Sequence, residues 1–150
     1  MCDYSLHGIK NRLAKEGETL IVHRFHTGSK GLTSPEYLQL SPAPRGMLAF
    51  LKSMFAPELR ECAVCIPDGA RLKLDGISQT LQEVHCLSAT EAVTFRQLSA
   101  NSATYRDAVE FENGVKLRLQ ELEEGQSVLV LTLSSEEITA RKQRLIRAGA

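Results

Sequence analysis

Between Tyr105 and Leu133, apolar and polar side chains alternate in three runs separated by two loops, each marked by a glycine. The first loop, Phe111-Glu112-Asn113-Gly114-Val115, can close over two residues or over three. Closure over Asn113-Gly114 alone sets Phe111 against Lys116 and Val109 against Arg118, which mixes apolar groups with cations on one face. A type I turn over Glu112 and Asn113, with Gly114 left-handed as a G1 bulge, instead sets Phe111 against Val115 and Val109 against Leu117. The same chemistry at Glu123-Glu124-Gly125 pairs Leu119 with Leu129, Leu117 with Leu131 and Val115 with Leu133, predicting a three-stranded meander with one apolar face. Extended away from Phe111, this register brings Asp107 beside Leu119 and Tyr105 beside Glu121 and Ser127. One end of the inner face then becomes polar. Carboxylates against an apolar wall can act as acid or base, and a barrel mouth is a usual ligand site, so Tyr105, Asp107, Glu121 and Ser127 form a candidate ligand-binding group.

Upstream, Lys15-Glu16-Gly17-Glu18 predicts a turn and Thr19 to Phe25 a strand. Thr27-Gly28-Ser29-Lys30-Gly31 breaks that run. Met47, Phe50, Leu51, Met54 and Phe55 fall at helical spacing, which predicts a buried helix over about 45–55, starting at Ser41-Pro42 or at Pro44. From Glu61 onward the pattern is strand and turn: Cys62 to Ile66, Arg71 to Leu74, Thr80 to Leu87 and Ala92 to Leu98 precede the meander. Ser134 and Glu137 have the form of a capping box, so a C-terminal helix is predicted over about 135–147. Its narrow apolar side carries Ile138, Leu145 and Ile146. The fold class expected is mainly β, an antiparallel small barrel or sandwich of one domain over 1–150, with those two helices added.

The 150 residues are 43% hydrophobic and 24% charged, and 18 basic side chains balance 18 acidic ones. A neutral chain exerts no long-range field on nucleic acid or anionic lipid, so neither is expected as a partner. The start lacks the order of a secretory signal and no run reaches membrane-spanning length, so a cytoplasmic protein is expected, with its cysteines as thiols rather than structural disulfides.

Cys2, Cys62, Cys65 and Cys86 lie with all four histidines in the first 86 positions, which invites a metal site for zinc or iron. Cys62-x-x-Cys65 and His23-x-x-His26 have nominal ligand-pair spacing. Strand alternation opposes a shared ion, because it turns Cys62 inward with Val64 and Ile66 but Cys65 outward with Ala63. The pair also lacks the helix start that activates a redox dithiol. Small core cysteines and no cofactor are therefore the leading reading. If Met1 is removed, Cys2 could supply nucleophile and α-amino base together, though the helices are too few for the layered fold of N-terminal nucleophile hydrolases. Gly28-Ser29-Lys30-Gly31 is a fragment of a phosphate loop without its full spacing, and a mobile connection is expected there. His23 and His26 have no matching acid downstream of the kind a cupin-type barrel uses.

Cys2-Asp3-Tyr4-Ser5-Leu6, Ala63-Val64-Cys65-Ile66-Pro67-Asp68-Gly69, Phe95-Arg96-Gln97, Arg106-Asp107-Ala108-Val109-Glu110-Phe111 and Glu124-Gly125-Gln126 together resemble a group of small bacterial proteins that share the opening pentapeptide. The likeness covers about half of the chain and omits Leu32 to Arg60. It implies a bacterial origin and, since the group has no assigned activity, no catalytic residues. The function expected is a non-catalytic binding or accessory module acting through protein contacts, with the C-terminal helix as one possible docking element. A thiol-based metal-binding or redox-sensing protein is the first alternative, and a hydrolase using Cys2 the second.

Overall fold

The computed structural model describes residues 6, 8–39, 61–98, 105–133 and 146–149. The strands are β1 (Lys10–Leu13), β2 (Thr19–Arg24), β3 (Lys30–Thr33), β4 (Cys62–Cys65), β5 (Arg71–Asp75), β6 (Thr90–Gln97), β7 (Asp107–Phe111), β8 (Lys116–Arg118) and β9 (Ser127–Thr132). Two short helices, α1 (Pro35–Gln39) and α2 (Gln79–His85), accompany them. Seven strands form an antiparallel sheet in the order β3-β2-β9-β5-β6-β7-β8, which curls into a half-barrel. β1 and β4 form a separate parallel pair, so the expected antiparallel rule holds for the large sheet alone.

Alternation along the strands builds the core. Leu20 and Val22, Leu72 and Leu74, Val93 and Phe95, Val109 and Phe111, and Val128 and Val130 are all buried on the concave side. From β4, Val64 joins this core, while Ala63 joins Leu6, Ile9 and Phe25 in a second apolar cluster. Gly31 makes room for that cluster, since a Cβ there would lie 2.8 Å from Leu6 Cδ1 and 3.0 Å from Phe25 Cε2.

The first loop closes as its chemistry dictates. The Phe111 amide donates to Val115 O at 2.8 Å, the Gly114 amide donates to Phe111 O at 3.0 Å, and Val109 faces Leu117. The third strand of the expected meander forms as β9 but does not pair with β8. After three residues β8 gives way to a 3₁₀ turn (Leu119–Glu121), in which Arg118 N donates to a Glu121 carboxylate oxygen at 2.8 Å. The chain then crosses the sheet. Gly125 is left-handed as expected, but its amide donates to Val22 O, and β9 enters between β2 and β5. Leu129 therefore faces Thr19 and Lys73, not Leu119. Val128 and Val130 point inward, while Leu131 is 41% exposed.

A polar clip joins the two ends of the curled sheet. Lys30 N donates to Gln120 Oε1 at 3.0 Å, and Gln120 Nε2 donates to Lys30 O at 2.8 Å. The Lys30 ammonium donates to Gln120 O at 3.2 Å and to Leu122 O at 2.7 Å. Edge strand β3 is thus tied to the turn that follows edge strand β8.

Thr80 to Leu87, expected as a strand, is mostly helix α2. Ser78 Oγ accepts from Leu81 N at its start, Gln79 and Glu83 bond one turn apart, and left-handed Cys86 (φ 55°) ends it. These local bonds favour helix over an alternation that places Val84 in solvent. The helix expected over 45–55, with both of its starts, lies outside the described residues. So does most of the span 135–147, of which residues 146–148 are helical and Ile146 is exposed. Among the described residues, no helix is long and apolar enough to cross a membrane.

Candidate functional site

The loop between β2 and β3 repeats the chemistry of the loop at Gly114. Phe25-His26-Thr27-Gly28-Ser29 closes with the Phe25 amide donating to Ser29 O at 2.9 Å and the Gly28 amide donating to Phe25 O at 2.8 Å. Gly28 takes a φ of +85°, the left-handed region that glycine enters without steric cost. Arg24 braces the loop by donating to Gly28 O at 2.9 Å. Gly28-Ser29-Lys30-Gly31 is therefore a hydrogen-bonded hairpin loop running into β3.

This loop fixes two imidazoles. His23 lies opposite Gly31, and its ring meets Phe25 edge-to-face with centroids 5.0 Å apart. His26 stands at the loop tip. Between the two rings comes Glu61, 35 residues after His26 in sequence, immediately before β4. β4 lies beside β3, where Thr33 Oγ1 donates to Cys62 O at 2.8 Å, and this brings Glu61 to the hairpin.

Glu61 Oε2 lies 2.5 Å from His26 Nδ1 and also accepts from the His26 main-chain amide at 3.3 Å, while Oε1 lies 3.5 Å from His23 Nε2. An ionised carboxylate can only accept, so this bond requires the Nδ1–H form of His26. Side chains of His23 and Glu61 are 20% exposed and that of His26 is 48% exposed, so the cluster is half-sheltered and reachable from solvent. Burial pushes the Glu61 carboxyl upward, but bonds from His26 and His23 outweigh it and hold the group below the ordinary glutamate range. The sequence signal for half of this site was present in the Phe-x-x-Gly loop. Glu61 carried none, because its place is set by long-range pairing.

The four residues expected at a polar mouth do not converge. Asp107 faces Gln97 at the end of β6, whereas Ser127 faces Asp75, which faces Thr90 at the start of β6. Seven residues of strand separate those rows, roughly 23 Å. Tyr105 is exposed ahead of β7, and Glu121 bonds back to its own turn. The geometry depended on β8 pairing with β9, which does not occur.

Cys62 and Cys86 are free thiols, the first half-buried and the second exposed at the end of α2. Cys65 is buried and disulfide-bonded, which corrects the expectation of thiols throughout. Cys62 and Cys65 are thus neither a dithiol nor a thiolate pair, but the expected facing is corrected: Cys65, expected outward with Ala63, is buried as Ala63 is, and Cys62, expected inward, is half-buried. The fourth cysteine, Cys2, lies outside the described residues. Asp75, Glu123, Glu124 and Ser127 line an open cleft of about 360 Å³. Two of its three acids are engaged: Asp75 accepts from Thr90 Oγ1 at 2.8 Å and Glu124 pairs with Arg24 at 3.8 Å. Among the described residues, no three histidine, cysteine or acidic side chains are placed, as they stand, to hold a metal ion. Comparison with protein-family models, with curated proteins and with solved structures finds no match.

Proposed function

We propose that this chain is a non-catalytic, cytoplasmic binding module acting through protein contacts, with β1 as its contact strand. One observation carries the reading: β1 pairs along a single edge among the described residues, and none of its four residues is buried. The Ala14 amide donates to Cys65 O, so alternation turns the main-chain groups of Arg12 and Ala14 toward β4 and those of Asn11 and Leu13 toward the open edge. Leu13 is 70% exposed on that edge. Arg12 is occupied within the chain by a bidentate bond to Glu18 at 2.9 and 2.7 Å and by donating to the edge carbonyl of Leu13 at 3.0 Å, so among the described residues Lys10 is the strand's cation outside an ion pair. An extended peptide could add here as a strand, with an apolar side chain over Leu13 and an acid near Lys10.

The test places a photocross-linking residue at position 10 in cells. A discrete protein adduct, lost when Asn11→Pro removes an edge N–H, supports the reading. Adducts that are absent, or unchanged by the proline, overturn it. Circular dichroism of the variant checks that the fold is kept.

A redox-responsive role is the second reading, favoured by the bonded Cys65. Disulfides are uncommon in a reducing cytosol and, where present, are often transient and regulatory. Thiol trapping in intact cells tests it: Cys65 found partly reduced, in a proportion that shifts with oxidant, supports the role. A state fixed under all conditions refutes it.

A further inference from the structure

We propose that His23, His26 and Glu61 bind one divalent transition-metal ion of the zinc class. The inference is independent of β1 and of the cysteines. Two imidazoles and a carboxylate form a donor set suited to zinc and its first-row neighbours, and the site has the three protein ligands that leave a position for water.

Distances allow the step from the ion-free arrangement to the bound one. Two ligands each about 2.1 Å from a metal, at angles of roughly 90–110°, stand about 3.0–3.4 Å apart. His23 Nε2 and Glu61 Oε1, at 3.5 Å, stand just outside that spacing and need to close by only about 0.1 Å. His26 Nδ1 and Glu61 Oε2, at 2.5 Å, are too close because the carboxylate accepts a proton-bridged bond there. As they stand, the three groups do not form a set that holds an ion. Opening that contact by about 0.5–0.9 Å exchanges the Nδ1 proton for the ion. The movement falls on the side chain best able to make it, since His26 is half exposed at a loop tip while Phe25 and the strand hold His23. Phe25 supplies an apolar wall behind His23, and the exposed side of His26 is the path for entry.

The test uses chelator-stripped protein carrying Cys62→Ser and Cys86→Ser, titrated calorimetrically with zinc chloride. One equivalent should bind, with a dissociation constant raised at least about 100-fold by His26→Ala and by Glu61→Gln but not by His85→Ala. No saturable uptake, or wild-type affinity in both variants, overturns the assignment. X-ray absorption of the unsubstituted protein loaded with one equivalent decides the matter without any variant. Nitrogen and oxygen scatterers at about 2.0–2.1 Å support the site, and sulfur at about 2.3 Å assigns the ion to the thiols instead.

Discussion

Replacing Gln120 with alanine removes both side-chain bonds that join it to the Lys30 main chain, at 3.0 and 2.8 Å. Each such bond contributes about 1 kcal/mol net, and the Lys30 amide and carbonyl are left half-buried, so the loss should be about 2 kcal/mol. Lys30→Met removes the other two bonds, from the ammonium to the Gln120 and Leu122 carbonyls. Bonds from a charged donor are stronger, but partial exposure at the site discounts them, which again leaves about 2 kcal/mol. Because the ammonium binds main-chain oxygens that alanine retains, neither substitution destroys the other's bonds, and the double variant should lose about 4 kcal/mol. That is a large share of the roughly 5–15 kcal/mol that holds a domain of this size. Urea unfolding followed by circular dichroism measures it, with the midpoint falling at a constant m-value. Hydrogen exchange should quicken in β3 and spare β5 and β6, if the clip holds the edges of a curled sheet. A Gln120→Ala loss below about 0.5 kcal/mol, or a double variant no weaker than one single, would refute this account of closure.

Three further outcomes follow from the same structure. The depressed Glu61 carboxyl should contribute stability above its unfolded value near 4.5, and this is lost as pH falls below that through the folded value. The melting-temperature advantage of wild type over Glu61→Gln should shrink across that acid window, and a gap constant with pH would count against the His23-Glu61-His26 contacts. Reducing the Cys65 disulfide, or Cys65→Ser, should cost about 2–4 kcal/mol in denaturant unfolding under otherwise equal conditions. Cys86→Gly should relieve the left-handed backbone at φ 55°, and after allowing for the floppier unfolded chain should add about 0.5 kcal/mol, or about 1–2 °C in thermal melts under reducing conditions.

What could be read from the sequence was local. The bulge at Gly114 follows from placing Phe111 and Val109 on an apolar face, a test that needs only five neighbouring residues. The third strand forms, but in a register other than the expected one, for a specific reason: Val128, Leu129, Val130 and Leu131 are apolar on both faces, so alternation cannot say which side is inner. The choice passed to pairing with Thr19 and Lys73, far away in sequence, and the inner set became Val128 and Val130. Everything built on the other choice, including the polar group at Tyr105, Asp107, Glu121 and Ser127, went with it. Helix α2 was missed because Ser78 and the Gln79 to Glu83 pair outweigh a weak strand pattern.

The histidine site divides along the same line. Phe25-His26-Thr27-Gly28 and Phe111-Glu112-Asn113-Gly114 close with matching bonds and with left-handed glycines at φ +85° and +87°. The first loop's local chemistry is therefore enough to set His23 opposite Gly31 and to leave His26 at the tip. Glu61 is different in kind. It reaches the rings because β4 pairs in parallel with β1 while resting on β3 through Thr33, and parallel pairing leaves no turn motif in the sequence between the strands. An acid sought near the histidines by spacing alone is thus sought in the wrong place. The carboxylate that completes the cluster is specified by the stacking of a second, two-stranded sheet upon the first.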